Sequence, residues 1–193
     1  MMPSLNIFKI GGSLFTSESY YKNVKTLLHQ YQDDVNILIC GGGLPVQQIR
    51  QFQKQFNLSD AECHHNSMLA MDRNTRHLCE HLKVSISETW HQLNSQIKQA
   101  PATPRWFGFA VTQFVLEQDP QLPPPRLPES WHTTSDSIAA RIASLLKARL
   151  IVAKSTSPTS NNLSLLANQG YVDDHFPVAA ASISSVTFVD LLD

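Results

Sequence analysis

Positive charge is missing from the last fifth of this chain: no Lys or Arg follows Lys154, although Asp173, Asp174, Asp190 and Asp193 do. Over 193 residues, 15 Lys and Arg face 16 Asp and Glu, a formal net charge of -1. No basic excess is left to grip a nucleic-acid backbone, so nucleic acid is not an expected partner. Any cation needed for chemistry must come from residues 1–154, where 15 cationic side chains stand against 12 acidic ones. Glycine is scarce too, with only 7 in the chain and none between Gly108 and Gly170. The three cysteines, Cys40, Cys63 and Cys79, are odd in number and lack the paired spacing of metal sites. Reduced thiols are expected rather than a disulfide framework. No stretch approaches the roughly 18 apolar residues of a membrane span, and the opening MMPSLNIFKIGGSLF has no basic region ahead of an apolar one. We therefore expect no membrane partner and a cytoplasmic location.

What is present alternates strand and helix signals. Leu5 to Ile10 is an apolar run stopping at Gly11-Gly12, and Val35 to Cys40 is another stopping at Gly41-Gly42-Gly43. Both read as buried strands. Tyr20, Val24, Leu27, Leu28 and Tyr31 recur at helical spacing between them, with Ser17 as the start signal. Leu44 to Phe56 carries Val46, Ile49, Phe52 and Phe56 on one stripe, and Ser59 to Glu62 has the form of a capping box opening a long helix through Leu82. Val84 to Ile86 is a short strand candidate, and Trp106 to Leu116 reads as one strand followed by a rigid proline loop from Pro120 to Pro128. Ser135 to Ala148 is the clearest helix, Leu150 to Ala153 a strand, Leu163 to Asn168 a short helix, and Val186 to Leu192 the final strand. The pattern predicts one α/β domain over residues 1–193, a three-layer sandwich with a largely parallel central sheet.

Lys9-Ile10-Gly11-Gly12-Ser13 puts a lysine at a strand end, then two glycines and a hydroxyl where a helix begins. Glycines let backbone N–H groups approach phosphate oxygens, and a lysine adds mobile positive charge. The P-loop order is absent, and Gly41 to Gly43 lacks the second half of a dinucleotide fingerprint, which leaves an oxidoreductase reading without support. Each glycine group alone is equally a plain tight turn, but two of them ending the first two strands meet at one sheet edge, where ligands bind. Thr134-Ser135-Asp136-Ser137 opens the strongest helix, and Asp136 is either an ordinary first-turn carboxylate or an acceptor that holds a lysine near phosphate. His77 and His81, four apart, read as polar helix-face residues, with Cys63, His64 and Cys79 as further metal candidates lacking convincing spacing. No protein metal site is expected.

KIGGSL at the start, ICGGG at the second strand and TSDSIAARIASLLKARLIV later resemble the amino acid kinase family in order and spacing. HHNSMLAMDR from His64, LPESWHTTSDSIAA from Leu127 and GYVDDHFP from Gly170 look like its aminomethylfuranylmethyl phosphate kinase branch, which serves methanofuran biosynthesis and has bacterial relatives in one-carbon metabolism. The resemblance covers nearly the whole chain. It implies an amino acid kinase-like fold, with residues 1–100 as a phosphoryl-acceptor half and 101–193 as a nucleotide half. By this likeness Lys9 and Asp136 are catalytic, and Gly11, Gly12, Ser13, Gly41, Gly42 and Gly43 hold phosphate. Lys154, Ser155 and Asp173 lie by the nucleotide. Asp72 meets a cationic aminomethyl group, and Trp131 stacks on the substrate or anchors the proline loop. ATP and Mg²⁺ are the implied cofactors, a small molecule the substrate, and a homo-oligomer the expected assembly.

A kinase needs mainly alignment and charge neutralisation from its protein. A phosphate-monoester acceptor, with a second pKa of about 6, brings its own ionised nucleophile and needs no dedicated base. An aminomethylfuran phosphate is such an acceptor. Most members of the family carry a Thr-Asp-Val-x-Gly loop where this chain has Lys154-Ser155-Thr156-Ser157-Pro158, and their late second lysine has no counterpart here except Lys154. The competing reading is therefore a non-catalytic amino acid kinase-like binding or assembly subunit.

Overall fold

The computed structural model describes residues 4–99, 105–130 and 133–192. Its strands are β1 (Leu5–Ile10), β2 (Val35–Cys40), β3 (Ser85–Ser87), β4 (Arg105–Phe109), β5 (Arg149–Lys154) and β6 (Val186–Asp190). The helices are α1 (Tyr20–His29), α2 (Leu44–Phe56), α3 (Asp60–Leu82), α4 (Trp90–Lys98), α5 (Ser135–Leu146), α6 (Leu163–Asn168) and α7 (Phe176–Ala179). The six strands form one all-parallel sheet in the order β3-β4-β2-β1-β5-β6. Every residue of β2 is buried, as a central parallel strand covered on both faces requires. Among the described residues no helix is long and apolar enough to cross a membrane.

Strand alternation sorts the side chains into two cores. Ile7, Ile37, Ile39, Leu150 and Val152 pack with Met68, Met71, Ile138 and Ile142 from α3 and α5. Phe8, Ile10, Leu38, Cys40 and Ile151 pack with Tyr20, Val24, Leu27 and Leu28 from α1. Lys9 shares the parity of Ile7, and Lys154 that of Val152, so both lysines belong to the face that α5 covers. Burial pushes the Cys40 thiol up to about 12 and the Cys79 thiol up to about 11.

Several elements depart from the sequence expectation. The run Trp106 to Leu116 is not one strand: β4 stops at Phe109, and Phe114–Gln118 coils into a π-helical turn. The cause is distant in sequence, since buried Asp72 on α3 accepts the Val111 N–H at 2.6 Å and the Thr112 N–H at 3.3 Å. Helix α1 starts after Ser19 rather than Ser17, and α5 ends before Lys147, which is left-handed at φ 53. Helix α4 was not anticipated, although Thr89 and Gln92 form a capping box. The proline loop is tied down by a buried pair, Arg141 Nε to Asp119 Oδ1 at 2.7 Å, with Leu127 N–H donating to Asp119 Oδ2 at 2.7 Å.

Candidate functional site

Because β1, β2 and β5 are parallel neighbours, their carboxyl ends lie side by side, and the segment after each enters one cleft. Gly11 N–H donates to the Ala153 carbonyl at 2.8 Å, and Gly41 N–H to the Ile10 carbonyl at 2.8 Å, extending the ladders into both glycine turns. Helix α3 fixes the second turn, with Thr75 Oγ1 accepting the Cys40 N–H at 3.0 Å and Asn74 Nδ2 donating to the Gly41 carbonyl at 2.7 Å. The turns themselves touch. A Cβ on Gly12 would lie 2.2 Å from the Gly43 nitrogen, and Gly43 has φ +62, so neither position accepts a side chain without movement. The N–H groups of Gly42 and Gly43 donate to no backbone carbonyl among the described residues, and α2 begins directly after them with no acidic residue in its first turn.

The cleft has a volume of about 380 Å³. Gly12, Ser13 and Gly41 to Gly43 form one side, the start of α5 another, and Lys154 closes the end. Beneath it, Lys9 Nζ is 2.7 Å from Asp136 Oδ1, a charge contact off the hydrogen-bonding angle. Lys154 Nζ donates to Asp136 Oδ2 at 2.9 Å and to the Tyr171 carbonyl, and lies 4.8 Å from the Tyr171 ring centroid. Two ammonium groups therefore share one carboxylate, leaving a net positive charge under the glycine turns. Burial by itself would raise the Asp136 carboxyl, but Lys9 and Lys154 outweigh it and hold the group below the usual carboxylate range. Burial and the nearby Lys9 charge lower Lys154, with Asp136 opposing them.

The predicted site residues divide. Lys9, Asp136 and Lys154 form one cluster, and Lys154 lines the cleft with Gly12, Gly41, Gly42, Gly43 and Ser13, whose hydroxyl is 3.2 Å from that of Ser155; Gly11 does not line it, its N–H being bonded to Ala153. Lys9 is only 5% exposed and reaches the site from below rather than lining the cleft. Asp136 is not the helix cap: Thr134 is, its Oγ1 accepting the Asp136 N–H.

Two residues expected at the site are engaged elsewhere. Asp72, expected at the substrate, has a buried carboxylate that accepts from the Val111 and Thr112 N–H groups, and it is not among the residues lining the cleft. Burial raises it, partly opposed by those hydrogen bonds. Asp173 does not face the cleft either: its carboxylate accepts from the Thr134 N–H and hydroxyl, the Ser137 N–H and hydroxyl, and the His175 N–H. It ties the last loop to the start of α5. Trp131 lies outside the described residues.

His81 stacks on Tyr21 with ring centroids 3.6 Å apart, and His77 lies against the same ring at 6.1 Å. Among the described residues no group of three or more His, Cys, Asp or Glu is arranged to hold a metal.

The sequence reading missed the other wall of the cleft, where His64 and Thr133 stand beside Met68, Met71 and Ile138. His64 entered that reading only as a metal candidate. The HH and TT doublets were visible, but nothing in their spacing brings α3 next to the residue before α5.

No protein-family model matches the sequence, and no curated protein matches it at a significant level. Solved structures do match. The uridylate kinase of Archaeoglobus fulgidus superposes with a TM-score of 0.62 at 16% identity, covering 96% of this chain and 91% of that one. The UMP kinase of Bacillus anthracis gives a TM-score of 0.62 at 11% identity, covering 99% and 89%. The chain thus has the amino acid kinase-like α/β fold of the UMP kinases, with a six-stranded all-parallel sheet flanked by helices.

Proposed function

We propose that this protein is an ATP-dependent kinase of a small phosphate monoester. One observation carries the reading: Lys154 of the Lys9–Asp136–Lys154 cluster lines the same cleft as two glycine turns that touch each other. A polyphosphate fits the residues present, because two cations against one carboxylate leave positive charge next to the Gly42 and Gly43 N–H groups. In this reading Lys9 and Lys154 neutralise the transferred phosphoryl group, and Asp136 keeps both lysines aimed at it. Mg²⁺, carried on the nucleotide, would add further charge neutralisation. Residues 1–100 would handle the acceptor and residues 101–193 the nucleotide, with Ser155 close to the latter.

Two acceptors follow from two lines of support. The motif resemblance points to an aminomethylfuran phosphate in methanofuran-type biosynthesis, and the fold neighbours, by their names, to UMP. Both are monoesters with an ionised oxygen, consistent with a cleft whose lining holds no Asp or Glu among the described residues. The homo-oligomer in this reading has support from α2, whose Leu44, Phe52 and Phe56 are exposed large apolar residues.

The test is transfer of labelled phosphate from MgATP to each monoester. Transfer that is lost in Lys9→Ala, with ATP still bound, supports the reading. The competing reading of a silent binding subunit is favoured by the replaced Thr-Asp-Val-x-Gly loop. It wins if the wild type binds ATP but moves phosphate to no monoester.

A further inference from the structure

Two buried polar atoms of the cleft have no hydrogen-bond partner among the described residues. His64, in the first turns of α3, is 3% exposed and its Nε2 accepts and donates nothing. Thr133, just before α5, is 4% exposed and its hydroxyl is likewise unpaired. Both line the same cavity as Lys154, and its lining also includes the apolar side chains of Met68, Met71 and Ile138. A buried polar group left unsatisfied costs stability, so two in one cavity mark a place where something else completes them. The Thr134 hydroxyl next door shows the contrast, since it both caps α5 and donates to Asp173.

The groups are also uncharged. Burial pushes the His64 imidazole below the usual histidine range, more strongly than nearby Glu129 raises it. The buried carboxylate that a cationic acceptor would call for, Asp72, is engaged elsewhere.

Resting on the kinase reading above, we propose that His64 and Thr133 select the acceptor, hydrogen-bonding an uncharged polar group on the organic part of a phosphate monoester whose flat apolar body lies against Met68, Met71 and Ile138. A neutral heterocyclic or sugar-like monoester fits this wall; one bearing an ammonium group there does not, since the ion would be desolvated against a neutral imidazole and a hydroxyl. A site built to hydrogen-bond its substrate discriminates strongly against analogues that leave its own polar groups unpaired.

The experiment compares wild type, His64→Phe and Thr133→Val by calorimetry with UMP and with an aminomethylfuran phosphate, by KM and kcat where transfer occurs, and by melting temperature. Wild type is expected to bind the neutral monoester more tightly. Each variant should weaken that binding, and raise its KM, roughly 3- to 10-fold, the effect of one lost hydrogen bond, with kcat and ATP affinity little changed. Melting temperature should hold or rise, because each variant removes an unsatisfied polar group. A purely structural role gives the reverse, a lower melting temperature with unaltered acceptor binding, and overturns the proposal. Tighter binding of the aminomethylfuran phosphate, insensitive to both variants, overturns it as well. Variant-sensitive binding of UMP without phosphate transfer upholds the selection wall while rejecting the kinase reading.

Discussion

Gly12 and Gly43 meet backbone to backbone, so closely that a methyl group on the first would lie 2.2 Å from the nitrogen of the second. This contact joins the turn after β1 to the turn after β2 where both line one cleft. Gly12→Ala should drive them apart, costing about 1–3 kcal/mol as an overpacked site does, and should weaken ATP binding with it. Gly170→Ala is the control. It sits at φ +70 with open space around it, so strain alone, about 1–2 kcal/mol, should appear, with ATP affinity unchanged. Denaturant midpoints and nucleotide titrations of both variants check this.

Asp136 holds two buried ammonium groups, and its two partners should respond differently to mutation. Asp136→Asn leaves both cations without a counter-charge and should cost about 3–5 kcal/mol along with turnover. Lys9→Met leaves the Lys154–Asp136 pair standing, so the fold should persist. Its kcat should fall by at least about 100-fold with little change in ATP affinity, the signature of a contact strongest in the transition state. Melting curves and steady-state kinetics with the preferred acceptor separate the two.

Asp72 offers a test of where recognition ends and architecture begins. Asp72→Asn turns one of its two acceptors into a donor facing the Val111 or Thr112 N–H. A loss of about 1–3 kcal/mol is expected, with acceptor KM unaltered. A raised KM at unchanged stability would return this residue to the substrate.

Acid stability should fall in two stages. Both Asp136 and His64 have folded pKa values below their unfolded ones, so each gives stability that is complete above its unfolded pKa and lost as pH drops through the folded value. For His64 the decline starts below about 6.5, and for Asp136 below about 3.8. Urea midpoints followed from pH 8 to pH 3 should show both, and His64→Phe should erase the upper one only.

Much of this was legible in the one-dimensional pattern, and the illegible parts share a cause. The bounds of α2 and the Ser59–Glu62 capping box follow from local spacing, and they match. The two glycine turns could be placed at one edge because parallel strands leave no other arrangement. The end of β4 could not be foreseen, because a carboxylate 39 residues earlier in sequence bends the chain there. Asp173 is placed by the nucleotide through the family resemblance, but its partners Thr134 and Ser137 lie 39 and 36 residues upstream, out of reach of any local pattern. His64 and Thr133 become a pair only once α3 and α5 pack on the same face of the sheet. The helix α4, by contrast, announced itself through Thr89 and Gln92 and was overlooked.

Helix α2 supplies a wall of the cleft yet buries none of its own side chains, and it packs chiefly on α3. Of its cleft-facing positions, exposed Gln47 is the least coupled to folding, since exposed substitutions of this kind usually shift stability by no more than about 0.5 kcal/mol. Lys9 and Asp136, by contrast, are buried, and Lys154 is tied to Asp136 at 2.9 Å. On the kinase reading, α2 thus offers a second, adjustable wall beside His64 and Thr133, one whose shape can be altered while the strands that carry the lysines stay as they are.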